Sequence, residues 1–558
     1  MTDKERAEYY RWINKATDDP DLIPELEGMS VDQIQDAFYR DLAFGTGGLR
    51  GTIGAGTNRM NVYTVAKATQ GLSNYLKRKY KNPSVVIGYD SRIKSEKFAQ
   101  TAAGVFAANK VHVYFWPRLL PVPTVSFATR YLGTSAGVMI TASHNPSKYN
   151  GYKVYGSDGC QITTEAAAEI LDEIEKIDVF DGISKMPWES AKIQGIFEAI
   201  DDKVLDAFIG NVKKQSVVKE EIDRNVAIVY SPLNGTGLEP VTRVLHEAGF
   251  NNVTVVEEQR LPDGNFPTCP YPNPEIREAM ELGLKFCAEK NADLLIATDP
   301  DCDRCGIAVR NKDGEYQLLS GNETGLLLFD FVCSQRIKNG KMPENPVMIK
   351  TIVTSDMGEQ IADHYGVGTI NVLTGFKFIG EQIGLLEKEG RESDYIFGFE
   401  ESYGYLSGTY VRDKDGVDAA FMIAEMFAYY KTHGVSLLEK LDELYRTYGY
   451  RLNTLHSYEF DGESGFHKMQ EIMNKFHVGV DEFGGKKVEK VLDYSKGLDG
   501  LPKSDVLKYL LEGNSSVVVR PSGTEPKLKV YISISAASMD KARAVEKQIA
   551  EQIEQYMK

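Results

Sequence analysis

Three aspartates at alternate positions, Asp299, Asp301 and Asp303, stand in the run Asp299-Pro300-Asp301-Cys302-Asp303-Arg304. The apolar stretch Leu294-Leu295-Ile296-Ala297 comes directly before them and predicts a buried strand that ends in a tight loop. Three carboxylates converging on one point at roughly 4 Å repel by about 4 kcal/mol per pair at an effective dielectric of about 20. A bound cation offsets that repulsion, and an all-oxygen set suits Mg²⁺. An EF-hand is excluded, because its Gly and Glu positions hold Arg304 and Arg310 here.

The second candidate is Ser143, in Thr141-Ala142-Ser143-His144-Asn145-Pro146, just after Gly137-Val138-Met139-Ile140. A small hydroxyl at the end of a buried strand can attack a carbonyl, carry a phosphoryl group or cap a turn. Acyl transfer asks for G-x-S-x-G or a Ser–His–Asp set with an oxyanion hole. Ser143 has Ala142 and His144 beside it instead, and a strand-like backbone would turn His144 away from the hydroxyl. Metal carboxylates, cationic groups and a hydroxyl point to phosphoryl transfer, which relies on positioning and charge neutralisation. The rival within that chemistry is an aspartyl phosphotransferase of the haloacid dehalogenase kind, with Asp299 as nucleophile. The small Gly-Thr or Gly-Val that such loops carry after the second Asp is missing.

Anion and sugar contacts have their own candidates. Arg520-Pro521-Ser522-Gly523-Thr524 offers a planar guanidinium, the hydroxyls of Ser522 and Thr524, and backbone N–H groups around Gly523. That is a phosphate grip, with Lys527 and Lys529 nearby. In Gly398-Phe399-Glu400-Glu401-Ser402-Tyr403-Gly404, Glu400 and Ser402 on a loop suit a polyhydroxyl ligand. Taken alone, a hairpin turn and a helix cap explain these two runs as well. The run Phe44-Gly45-Thr46-Gly47-Gly48-Leu49-Arg50-Gly51 resembles a phosphate-cradling loop. A helical pattern precedes it and its spacing is not G-x-G-x-x-G, so no dinucleotide site is expected. Cys302-x-x-Cys305 lacks a second pair at metal spacing and is not expected to act as a unit.

Positioning such residues requires buried strands. Val85-Val86-Ile87-Gly88-Tyr89-Asp90 leads to a helix with Phe98, Ala102, Val105 and Phe106 on one face, then to Val111–Phe115. The same strand–helix–strand order recurs from Val226 to Val256 and from Val347 to Val372. Three such passages predict a diverged triplication of an α/β domain. The tail differs: Val517-Val518-Val519 and the alternating Leu528–Ile534 read as paired strands, and a last helix follows Ser538.

The chain has 558 residues, a soft prior of about four domains. With a net charge of -16 it lacks the basic footprint of a nucleic-acid or membrane binder. An anionic substrate then needs a locally basic pocket. Six scattered Cys fit reduced thiols, and the charged start Met1–Arg6 shows no secretory signal. With no run near 18 apolar residues, a cytoplasmic protein is expected.

With these residues set out, the chain resembles the α-D-phosphohexomutase superfamily along nearly its whole length and in the family's order. Thr141–Pro146 with Asn150-Gly151-Tyr152-Lys153 resembles the phosphoserine loop. Asp299, Asp301, Asp303 and Arg304 fall on the metal loop, Glu400 and Ser402 on the sugar-recognition loop, and Arg520, Ser522, Gly523 and Thr524 on the phosphate-binding loop. The resemblance implies three related α/β domains, each with a mixed sheet between helices, and a C-terminal α+β domain around a central cleft. The expected boundaries are 1–215, 216–330, 331–450 and 451–558. It implies Mg²⁺ held by the three Asp and a phosphorylated Ser143, and glucose 1,6-bisphosphate as intermediate and activator. It also places Arg50, His144 and Lys153 near the transferring group, with Lys153 and Lys414 as candidate proton carriers. Glu400-Glu401-Ser402 is closest to the glucose-preferring form. Phosphoglucomutase activity is therefore expected, with a phosphopentomutase or phosphomannomutase as the alternative. A non-catalytic sugar-phosphate binder is the remote alternative.

Overall fold

The structure is a computed structural model that describes residues 1–45, 47–460, 462–498, 500–522 and 527–558. Its fold is α/β, with three α/β units followed by an α+β unit. Ahead of the first sheet, helices Asp3–Lys15, Leu22–Glu27 and Val31–Phe38 form an arm. Capping boxes at Thr2 and Ser30 satisfy the orphan N–H groups of the first and third. Trp12 buries its ring against Phe38, Tyr63 and Phe180, which fixes the arm to the first unit.

The first sheet has seven strands, in the order Phe44–Gly45, Gly48–Thr52, Tyr149–Gly156, Ala136–Ile140, Ser84–Tyr89, His112–Phe115 and Phe197–Ala199. Its centre is parallel, and the β-branched run Val85-Val86-Ile87 is fully buried, as a strand covered on both faces requires. The second sheet runs Tyr316–Leu319, Cys305–Arg310, Leu294–Thr298, Ile228–Ser231, Val253–Val255. The third runs Gly368–Val372, Val347–Thr351, Tyr395–Glu400, Gly404–Leu406. All three repeat one plan. A strand parallel to its unit's central strand turns back through a short hairpin into an antiparallel partner. The turns hold Ser143, the three aspartates and Ser402, so these groups sit at equivalent carboxyl ends of strands. Each turn contains a non-glycine residue with left-handed φ: Ser143 (52°), Cys302 (52°) and Tyr403 (65°).

The fourth sheet is wholly antiparallel, in the order Tyr450–Glu459, Lys527–Ala536, Ser515–Pro521, Leu507–Leu511, Lys486–Asp493, Glu482–Phe483. Helices Gly462–Val478 and Met539–Met557 pack on it. Arg520 was expected between two strands, but it lies within strand Ser515–Pro521, opposite Lys529. Glu400 likewise ends strand Tyr395–Glu400 instead of lying on a loop, because Phe399 and its neighbours carry the ladder to that point.

Backbone bonds tie the turns of different units together. Val122 N–H donates to the Asp301 carbonyl (2.9 Å), and Cys305 N–H to that of Tyr403 (3.0 Å). Gly416 N–H donates to the Cys302 carbonyl (3.1 Å). Among the described residues, no helix is long and apolar enough to cross a membrane. All six cysteines are free and buried.

Candidate active site

A cleft of about 840 Å³ is walled by all four units, with Arg50 and Ser143 from the first, Asp303 and Arg304 from the second, Glu400 and Lys414 from the third, and Arg520 and Lys529 from the fourth. Ser143 is buried to 3% exposure, and its Oγ donates to Asp299 Oδ2 at 2.8 Å. Thr141 Oγ1 accepts from Ser143 N–H (2.9 Å) and donates to Asp301 Oδ2 (3.1 Å), so one threonine spans the serine and aspartate turns.

His144 departs from the expectation that it turns away. Its Nδ1 lies 3.1 Å from Ser143 Oγ. The left-handed φ at Ser143 breaks the strand alternation and brings the adjacent side chains to one side. Burial holds the imidazole well below its ordinary pKa, and Arg304 and Arg50 push it further down. It is neutral at pH 7.

Ligand oxygens of Asp299, Asp301 and Asp303 all lie within 4.8 Å of one another, and all three residues are buried. Asp299 Oδ1 accepts from the N–H groups of Asp303 (3.1 Å) and Arg304 (3.0 Å), which closes the loop on itself. Burial and then the charges of Asp301 and Asp303 push the Asp299 carboxyl well above its usual range. Burial acts the same way on Asp303, but Lys414, Lys153 and Arg304 outweigh it and hold that carboxyl low. Asp301 Oδ1 and Asp303 Oδ1 are buried with no hydrogen-bond partner among the described residues. Buried carboxylate oxygens without a partner, on residues clustered this closely, fit a hard cation.

Lys153 reaches Asp301 Oδ2 (2.9 Å) and Asp303 Oδ2 (3.2 Å). Lys414 reaches Asp303 Oδ2 (3.3 Å) and Glu400 Oε1 (3.6 Å). Burial works against both ammonium groups, but the carboxylates outweigh it and keep them protonated. Arg304 pairs with Glu275 and donates to the Ser402 carbonyl (3.2 Å). Arg50 stands on Gly48–Thr52, paired with the strand that carries Lys153. That pairing requires Gly48: its φ is +134°, and a Cβ there would lie 1.7 Å from the Tyr152 carbonyl oxygen.

On the opposite wall, Lys529 is pushed down by burial and by Arg520 and Lys527. Ser522 N–H donates to the Lys527 carbonyl at 2.7 Å. Gly523 and Thr524 lie outside the described residues. Glu275 and Asp413 escaped the sequence reading, which took Glu401 only as the neighbour of Glu400. Glu275 sits in a Pro-Asn-Pro-Glu turn that gives no chemical signal. Glu401 accepts from Thr351 and Thr354 hydroxyls (both 3.2 Å), and burial and then Glu400 push its carboxyl up to about 7. Asp413 takes a hydrogen bond from Tyr155 (2.8 Å) and one from Lys414 N–H (2.9 Å).

Comparison with known proteins gives four domain matches of one family, described as phosphoglucomutase/phosphomannomutase. Alpha/beta/alpha domains I, II and III match residues 41–180, 206–314 and 320–448, and the C-terminal domain matches 474–552. The chain is 36% identical over 549 residues to a phosphoglucomutase of Staphylococcus aureus (strain MSSA476), covering 95% of this chain and 96% of that one. It is similar in fold to the open form of parafusin, a Paramecium phosphoglucomutase, with a TM-score of 0.71, 18% identity, and coverage of 93% and 94%. An Aspergillus fumigatus N-acetylphosphoglucosamine mutase, solved with GlcNAc-6P and magnesium, matches with a TM-score of 0.51, 13% identity and coverage of 93% and 97%.

Proposed function

The chain belongs to the phosphoglucomutase/phosphomannomutase family and is a phosphotransferase mutase, and we propose that it interconverts glucose 1-phosphate and glucose 6-phosphate through a phosphoserine at Ser143. The observation that carries this reading is the Ser143 Oγ–Asp299 bond at the edge of a three-carboxylate turn, in a cleft whose far wall carries Arg520 and Lys529.

In this reading Asp299, Asp301 and Asp303 would hold Mg²⁺ beside Ser143, where it would supply charge neutralisation for the transferring group. Phosphoserine carries roughly −1.5 to −2 charge at pH 7, and Arg50, Lys153 and Lys414 offset the remainder. Glu400 and Ser402 orient the sugar, Arg304 shapes their turn, and Arg520, Ser522, Gly523 and Thr524 hold the phosphate that is not reacting. The free sugar hydroxyl forms a bond to phosphorus as the Ser143 Oγ–phosphorus bond breaks. Lys153 or Lys414 relays the proton: its ammonium gives one to the departing Ser143 oxygen and takes up the one that the sugar hydroxyl loses. Glucose 1,6-bisphosphate then turns over in the cleft, and its other phosphoryl group returns to Ser143 by the same step reversed. Asp299 is a poor nucleophile here. Both its oxygens are engaged within the protein, and it does not line the cleft.

The test combines two measurements. Intact-protein mass spectrometry after incubation with glucose 1,6-bisphosphate and Mg²⁺ is expected to show one phosphoryl group mapping to Ser143 and none in Ser143→Ala. A kcat/KM panel over glucose, mannose, N-acetylglucosamine, ribose and deoxyribose 1-phosphates is expected to favour glucose. A pentose preference overturns the sugar assignment, and a phosphoryl group on Asp299 overturns the mechanism.

A further inference from the structure

The Ser143 turn is held by a residue that takes no part in the chemistry above. Arg92 follows strand Ser84–Tyr89, and its side chain is fully buried behind the turn. Its Nη1 donates to the carbonyl oxygens of Pro146 (3.0 Å) and Tyr149 (3.1 Å), and its Nη2 to those of Ser143 and Asn145. One guanidinium thus gathers four carbonyls spanning seven residues of chain. Asp90 fixes the guanidinium in turn. Its Oδ2 lies 3.4 Å from Arg92 Nε, and its Oδ1 accepts from Arg92 N–H (2.9 Å) and Ser95 Oγ (2.6 Å). Phe266 from the second unit covers the guanidinium face at 5.0 Å.

The carbonyl directions have a consequence on the cleft side. No peptide among the described residues is cis. In a trans peptide the C=O and the following N–H point in opposite directions. The Ser143 carbonyl points into Arg92, so the His144 N–H points away from it. Ser143 and His144 line the cleft and Arg92 does not. The His144 N–H has no protein acceptor among the described residues. A preorganised N–H directed at the place where charge develops is the donor type that stabilises transferring groups.

We propose that Arg92 is the positioning residue of this reaction. By drawing the 143–149 carbonyls to one buried fork, it holds Ser143 in its left-handed conformation and directs the His144 N–H at the phosphoryl group. The proposal rests on the phosphoserine reading. The fork is essential to it, because guanidinium presents planar paired donors and ammonium presents a single point.

The experiment compares wild type, Arg92→Lys and Arg92→Met. It measures steady-state kinetics with glucose 1-phosphate, the single-turnover rate of Ser143 phosphorylation by glucose 1,6-bisphosphate, and Tm. Loss of one such donor predicts a ~10²-fold fall in kcat and in phosphorylation rate, with KM moved by less than ~3-fold. Arg92→Lys falls less than Arg92→Met. A merely structural role would lower the folded fraction and leave turnover per folded molecule unchanged. Folded Arg92→Met that phosphorylates Ser143 at the wild-type rate overturns the proposal. If Arg92→Met does not fold, Arg92→Lys, which keeps the charge and loses the fork, decides on the same criterion. A wild-type protein that takes no phosphoryl group on Ser143 overturns the phosphoserine reading itself, and this proposal with it.

Discussion

At the scale of single residues, the cleft sets ionisable groups of one type into opposite states. Asp303 is held charged by three cations, whereas Glu401, beside Glu400 and away from those cations, is pushed up to about 7. The folded state therefore keeps a proton on Glu401 that the unfolded chain loses from its ordinary 4.5. Stability from this group is present below that ordinary value and is lost as pH rises through about 7. The loss is at most about 3 kcal/mol, since each pKa unit corresponds to about 1.4 kcal/mol and the side chain is only partly buried. Glu401→Gln keeps an acceptor for Thr351 and Thr354 and cannot ionise. The Tm of the variant relative to wild type is expected to climb between pH 5 and pH 8 and then level off. A difference that stays flat across that range would assign the ionisation to another group.

At the scale of elements, the chemistry sits in turns, and the turns follow from what precedes them. Gly137–Ile140 and Leu294–Ala297 read as buried strands because both are apolar throughout, and each ends where polar residues begin. The aspartate spacing was legible for the same reason, since three carboxylates in five residues have few arrangements that avoid one another. The orientation of His144 was not legible. It depends on a left-handed φ at a serine, which local sequence does not dictate and which bonds from Arg92 and Thr141 impose. Glu275 was hidden because its partner Arg304 is distant in sequence. Strand Gly48–Thr52 illustrates a constraint that sequence hints at through its glycines. Gly48→Ala combines an unfavourable φ with a direct overlap on the Tyr152 carbonyl. The expected cost is about 2–4 kcal/mol from strain and overpacking together. The strand is expected to shift and carry Arg50 with it, so kcat/KM falls more than the loss of folded protein explains. Chemical denaturation alongside kinetics separates the two effects, and a variant with wild-type stability would show that the strand accommodates the methyl group.

At the scale of the whole molecule, an acidic chain concentrates cations where an anionic substrate must enter. Among the described residues, seven Lys and Arg side chains line the cleft although the net charge is -16. The arrangement works only if the fourth unit, which carries Arg520 and Lys529, stays opposite the first three. Asp356 is the clamp. Its Oδ1 accepts from Lys508 (2.7 Å) of the fourth sheet and Lys350 (3.3 Å) of the third, and its Oδ2 accepts from Ser516 (3.0 Å) of the fourth. Lys508 also donates to the Ile352 carbonyl at 3.0 Å. Burial alone would raise the Asp356 carboxyl, but Lys508 and Lys350 outweigh it and hold the group ionised. Burial lowers the Lys508 ammonium, and Asp356 restores it only in part because Lys350 competes for the same carboxylate. Asp356→Asn leaves the buried Lys508 ammonium without its paired carboxylate, while Lys350 keeps Glu359 at 3.1 Å, and removing one partner of a buried pair costs about 3–5 kcal/mol. The cost falls on the contact between the third and fourth units, because the Asp356 carboxylate holds both Lys508 and Ser516 across it. Urea unfolding is therefore expected to change from one transition to two, with the fourth unit melting first, and limited proteolysis to cut near residues 448–450. A single transition at the wild-type midpoint would mean that the apolar contacts of Ile352, Val353 and Leu373 with Val518 and Tyr531 hold the units together without the clamp.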